Sequence, residues 1–224
     1  MNVFGARPAD GWFLAACGLW RVNLLRESNF FAIVFRMRYI ERWALMRNTQ
    51  PENIAEHSLG VAMIAHALCE IGNVRYGRQL DADRAAVLGL YHDAPEIITG
   101  DLPTPVKYYS GRTQHAYAEV EDSAIDQLLA SLPQDLRPTY QRLLRPAEEG
   151  EDPYVLRLVK AADKLSALLK CIEEDGSGNA DFRSAEKTTR ASLETMAQDL
   201  PELRDFMAEF LPAYGSTLDE LVGR

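Results

Sequence analysis

Four side chains in this sequence have the types and surroundings that suit a divalent cation: His57, His92, Asp93 and Asp163. Each sits in a run of apolar residues, where a His or Asp is costly unless it is paired. Asp163 interrupts Leu158 to Leu168, a segment that otherwise reads as core. Taken alone, it is equally well explained by pairing with Lys160 or Lys164 on its own helix. His92-Asp93 follows Gly89-Leu90-Tyr91. Imidazole with carboxylates is the usual ligand set for a borderline or hard cation. Neighbouring helical residues point about 100° apart, so the pair can flank one ion at the mouth of a helix bundle. Glu96, four residues after His92, falls on the same helix face. A carboxylate beside a metal-activated water can move protons without being a ligand; a solvated surface Glu fits the sequence as well. Pro95 is wrong for a helix interior by about 3 kcal/mol, and broken local rules gather at functional sites.

The elements that must position these residues read as helix after helix, so the fold class is all-α. Ser28 can cap a helix through Phe30, Ile33, Met37 and Ile40. Thr49-Gln50-Pro51-Glu52 has the form of a capping box. It would open a helix carrying Ile54, His57, Val61 and Leu68 that ends near Gly72-Asn73. Asp81 can cap a third helix, through Tyr91. Gly100, Pro103 and Pro105 mark a loop. A long polar helix spans about 112–131, Asp152-Pro153 starts an apolar one ending at Gly176-Ser177-Gly178, and two more fill 181–198 and 203–211. No period-2 strand or repeat stands out.

The chain has 224 residues, 47% of them hydrophobic, enough for one well-buried core. Its net charge of -9 gives no general help in holding a nucleic acid polymer, so a phosphate must be held by a metal or a few placed basic residues. Cys17, Cys69 and Cys171 are far apart and odd in number, which suggests reduced cytosolic thiols. No stretch of eighteen apolar residues suggests a membrane span. Leu14-Ala15-Ala16-Cys17 has the look of a lipoprotein box, but Pro8, Asp10 and Gly11 occupy the place of the apolar stretch that a signal needs.

Larger blocks sharpen the reading. His57, His92-Asp93 and Asp163 reproduce the H…HD…D signature of the HD superfamily. Arg42 to Asn48, Glu56 to Leu59, Tyr91 to Glu96, Gly100 to Tyr108 and Val159 to Asp163 closely resemble the bacterial HD-domain 5′-deoxynucleotidases. The resemblance covers roughly 27–222. It leaves 1–26 as an N-terminal extension and 27–224 as a single HD-domain helical bundle. It implies a cytoplasmic, homodimeric enzyme that hydrolyses deoxyribonucleoside 5′-monophosphates with one divalent cation: cobalt, manganese or copper. By the same resemblance, His57, His92, Asp93 and Asp163 are metal ligands, Glu96 is the catalytic acidic residue, and the Arg42–Trp43 pair orients the phosphate and contacts the nucleotide. Asp101, Leu102, Pro103 and Thr104 form the loop that meets the sugar.

The residues themselves agree with these roles. Arg offers a planar fork of donors to phosphate oxygens. Trp43 can stack on a base or simply pack at a helix end. Asp101 can bond the sugar 3′-hydroxyl or only cap the following helix. Lys107 can add charge near the phosphate or lie in solvent. His66 and His115 fall outside the matched blocks and are not expected as ligands. Two rivals stand beside this reading: an HD enzyme for a nucleoside triphosphate or cyclic nucleotide, and a non-catalytic nucleotide-binding protein.

Overall fold

A computed structural model describes residues 27–107 and 109–223. The N-terminal extension and its lipoprotein-like box lie outside the described residues. The helices are α1 (Phe30–Val34), α2 (Ile54–Tyr76), α3 (Ala82–Tyr91), α4 (Glu96–Thr99), α5 (Thr104–Lys107), α6 (Gly111–Ala130), α7 (Arg137–Leu144), α8 (Pro153–Gly176), α9 (Arg183–Met196), α10 (Pro201–Glu209) and α11 (Leu218–Leu221). The fold is all-α, as the periodicity implied. Among the described residues the only extended pairing is one antiparallel bridge between Glu41 and Asn53.

The first expected helix is split. α1 gives way to a 3-10 turn over Phe35–Tyr39, after which Ile40 is extended and its carbonyl accepts the Ile54 amide at 3.0 Å. Asn29 occupies the N-cap position but makes no side-chain cap bond; the Ser28 hydroxyl accepts the Phe30 amide at 3.4 Å and donates to the Ser131 carbonyl at 2.8 Å. The Thr49–Glu52 box does not form. Thr49 binds Glu174 and Glu52 binds Arg42, so both side chains are taken. Asn53 and Glu56 form the reciprocal box that opens α2 instead. α2 also runs past Gly72-Asn73. The bare Gly72 Cα makes room for the Glu202 and Leu80 side chains, and the left-handed cap is Gly77, at φ 64°. Asp81 and Asp152 cap α3 and α8 as expected.

α2, α3 and α8 pack around one core that includes Val61, Leu68, Leu88, Leu158 and Leu165, with α9 and α10 closing its far side. A second cluster of Phe30, Met37, Ile54, Ala94 and Leu128 lies under α1 and α6. His57 stands between them on α2, since Ile54 belongs to one cluster and Val61 to the other. α2 is long and apolar enough, by length and composition, to cross a membrane. Its contacts with α3, α8 and α10 and its buried His57 mark it as a core helix.

α2 and α3 approach closely at Gly89. A Cβ there would lie 2.9 Å from the Ala62 backbone.

Candidate metal centre

α2, the C-terminal end of α3 with the turn after it, and α8 bring the candidate ligands together. His57 sits one turn inside α2 and is 1% exposed. Its Nδ1 contacts the Ser166 hydroxyl at 3.1 Å, which turns Nε2 toward Asp163 Oδ1 at 3.1 Å and Asp93 Oδ2 at 3.6 Å. His92 caps the C-terminal end of α3, where its Nδ1 lies 2.8 Å from the Gly89 carbonyl. A carbonyl only accepts, so Nδ1 carries a proton, and in the neutral imidazole, the form that could bind a cation, Nε2 holds the lone pair. That Nε2 is 3.1 Å from Asp93 Oδ2 and 3.9 Å from Asp163 Oδ1, yet it is buried without a hydrogen-bond partner among the described residues.

The ligand atoms of His57, His92 and Asp163 lie within 4.8 Å of one another, with Asp93 alongside. Two imidazole nitrogens, one of them buried without a partner, and two carboxylates fit a divalent cation, and the outward nitrogens are anchored as metal-binding histidines usually are. Burial pushes the His92 imidazolium down, but Asp93 and Asp163 outweigh it and raise its pKa to about 10. Burial pushes the Asp163 carboxyl up, and His57 and His92 more than reverse that. The site has a standing demand for positive charge. Pairing of Asp163 with Lys160 or Lys164 is not what the structure has.

Glu96 is close by, but not along a continuous α3 face. The chain leaves the helix at His92, and Pro95, at φ -59°, serves as the N-cap of α4. Pro95 therefore interrupts no helix. Glu96 is 8% exposed, which rules out a solvated surface role, and its Oε2 is buried with no partner among the described residues. Burial first, then Asp93 and Asp101, raise its pKa to about 9 against the pull of Lys107 and Arg42.

Arg42 and Trp43 follow Glu41, which bridges to Asn53, and the Arg42 amide donates to the Glu52 carbonyl, so their loop is tied to the residues preceding α2. Burial disfavours the Arg42 charge, but Glu52, Asp93, Asp163 and Asp101 outweigh this and hold it. Trp43 has φ 61°, the only positive φ at a non-glycine among the described residues. Its ring packs on Phe182 at 5.3 Å, so it does pack, but from a strained loop and not from a helix end. Burial raises the Asp101 carboxyl above its usual range, against the pull of Arg42 and the Trp43 backbone, so it faces that segment. Leu102 and Pro103 are half-buried, and Thr104 is exposed at the start of α5. Lys107 is not free in solvent: it pairs with Glu121 at 3.0 Å and lies 4.5 Å from the centre of the Tyr117 ring. His66 is 3.8 Å from Asp83 and His115 is 3.4 Å from Glu119, both away from the centre.

Two residues of this neighbourhood escaped sequence reasoning. Ser166 lies three after Asp163 in an apolar run, a spacing that puts it on the same face; that was its only signal. Glu52 read as part of a capping box.

The model of the YfbR-like 5′-deoxynucleotidases matches residues 29–214. A 5′-deoxynucleotidase of Erwinia tasmaniensis is 45% identical over 197 residues, covering 87% of this chain and 96% of its own. The 5′-deoxynucleotidase YfbR of Salmonella paratyphi B is 43% identical, covering 88% of this chain and 97% of its own. Among solved structures, an HD-domain phosphohydrolase of Listeria innocua superposes with a TM-score of 0.73 at 23% identity, over 83% of this chain and 88% of that one. That likeness carries the helical fold. With nearly the whole described chain matched by the family model, and close relatives covered almost end to end, this chain belongs to the YfbR-like 5′-deoxynucleotidase family.

Proposed function

We propose that residues 27–224 form one catalytic domain, a metal-dependent 5′-deoxynucleotidase that hydrolyses deoxyribonucleoside 5′-monophosphates to deoxyribonucleosides and phosphate. The observation that carries this is the convergence of His57, His92, Asp93 and Asp163 on one point, with the unpartnered Glu96 carboxyl beside it. The four converging residues would hold the cation. A cation bound there supplies Lewis acidity, lowering the pKa of water and polarising a phosphoryl oxygen.

The remaining roles belong to side chains. We assign Glu96 the transfer of a proton from the attacking water toward the leaving 5′-oxygen; a cation in the site would offset the Asp93 charge that helps to hold this carboxyl protonated. Arg42 holds equatorial phosphate oxygens, whose charge must be met in phosphoryl transfer. Trp43 and the loop Asp101, Leu102, Pro103 and Thr104 contact the nucleoside. The relatives' names support the substrate class. The reading extends to cobalt, manganese or copper as the cation and to a cytoplasmic homodimer, on the family resemblance.

The test is phosphate release from dAMP, AMP, dATP and cyclic AMP, first with EDTA and then with cobalt or manganese added. Metal-dependent release from dAMP in preference to the others is expected. Preference for dATP or cyclic AMP would move the enzyme to another substrate class. No release from folded, metal-loaded protein would overturn the reading.

A further inference from the structure

One carboxylate oxygen holds both members of the Arg42–Trp43 pair. Glu52 Oε2 accepts Arg42 Nη1 at 2.6 Å and Trp43 Nε1 at 3.0 Å. The backbones are joined as well, the Arg42 amide donating to the Glu52 carbonyl at 2.9 Å. The Arg42 and Glu52 side chains are 12% and 15% exposed, so this is a sheltered ion pair and not a surface one. Contact with Glu52 uses the Nη1 corner of the guanidinium. Nε and Nη2 donate to no protein acceptor among the described residues. They form the side-on edge, one of the two faces on which a guanidinium can bind two oxygens at once.

We propose that Glu52 is a positioning residue that locks Arg42 and Trp43 into one unit and selects the side-on Nε–Nη2 edge of Arg42 for the nucleotide phosphate. This rests on the reading of Arg42 as phosphate holder and Trp43 as nucleoside contact. Glu52 fixes the distance between those two functions, because a single oxygen is the hinge point of both side chains. The Trp43 backbone, in its left-handed conformation, directs the indole across to that oxygen. Glu52 lies two residues before the α2 helix that carries His57, and the Glu41–Asn53 bridge ties the two segments. The phosphate donor is thus set in register with the metal centre through a few residues of backbone.

The experiment is a mutant cycle read as kcat/KM for dAMP, with manganese affinity by calorimetry and melting temperature as companions. Glu52→Ala is expected to lower kcat/KM about ten-fold, within the usual coupling range for residues in contact. In an Arg42→Ala/Trp43→Phe background, which removes both donors to Glu52, the same change should have less than about a two-fold effect. Manganese affinity should stay unchanged, since Glu52 touches no ligand. Glu52→Gln keeps an acceptor oxygen in place and should recover part of the loss; it also serves the cycle if the alanine variant does not fold. Equal losses in both backgrounds, or a weakened manganese affinity, would overturn the positioning role. If Arg42→Ala/Trp43→Phe alone leaves kcat/KM for dAMP untouched, the failure lies in the reading of that pair as the nucleotide site.

Discussion

The chemistry depends on how single atoms are presented. The Gly89 carbonyl fixes the His92 tautomer, and Ser166 holds the orientation of the His57 ring through a 3.1 Å contact in which its hydroxyl can serve as donor or acceptor. Partners of this kind usually change metal affinity ten- to a hundred-fold when lost. Ser166→Ala should therefore weaken manganese or cobalt binding by about ten-fold or more, read by calorimetry on the apoprotein; an unchanged affinity would remove Ser166 from the design of the site. Glu96 makes the opposite prediction. Because it is buried, unpartnered and next to Asp93 without being one of the clustered ligands, Glu96→Gln should leave cation affinity intact while kcat falls by about two orders of magnitude. A kcat within a few-fold of the parent would sink the proton-transfer role. His57, His92, Asp93 and Asp163 were legible in the sequence as polar residues in apolar runs, and Glu96 by its spacing from His92. Ser166 was not, because a hydroxyl in an apolar helix is common without a partner, and its spacing from Asp163 was the only hint.

Helices were legible to the extent that their ends are signalled locally. Asp81 and Asp152 cap as their sequences suggest. The box at Thr49–Glu52 failed because its two side chains find stronger partners elsewhere, Glu174 and Arg42. Likewise, the expected continuous face from His92 to Glu96 assumed a helix that stops at Tyr91. The tightest constraint between elements is also invisible in one dimension. At Gly89 a methyl group would meet the Ala62 amide and Cα at 2.9 Å, and backbone cannot swing aside as a side chain can. Gly89→Ala should force α2 and α3 apart and cost about 1–3 kcal/mol by overpacking. It should also disturb the carbonyl that orients His92. Urea denaturation and cation calorimetry on one variant read both effects. As a control, Gly111, with nothing within 4 Å of the same built atom, should accept alanine without loss. Equal stability of the two variants would show that the helix contact has slack.

Across the whole molecule, the centre joins segments far apart in the chain: His57 and Asp163 are 106 residues apart, and no local pattern says that they meet. The same holds for the anchor of the Arg42–Glu52 segment. Glu174 on α8, 1% exposed, accepts the Thr49 amide at 2.9 Å, the Thr49 hydroxyl, the Gln50 amide at 3.1 Å and Asn179 Nδ2 at 2.7 Å. It is also bonded by Lys170, which in turn donates to the Gln50 carbonyl. Asn179 completes the clasp by donating to the Arg47 carbonyl at 2.6 Å. Burial alone would push the Glu174 carboxyl up; the bonds from Lys170, Thr49 and Asn179 outweigh it and hold the group well below the usual carboxylate range. A carboxyl depressed in the folded state contributes stability above its unfolded pKa, about 4.3. That contribution is lost as pH falls below this value toward the folded one. Glu174→Gln cannot titrate, so it lacks the contribution at every pH. Urea midpoints of parent and variant should therefore differ by a constant amount from about pH 7 to 5, and the gap should narrow as pH falls from about 4.5 toward 3.5. A gap that stays constant down to the lowest pH at which both fold would mean that the ionised carboxylate is not what fastens the loop to α8.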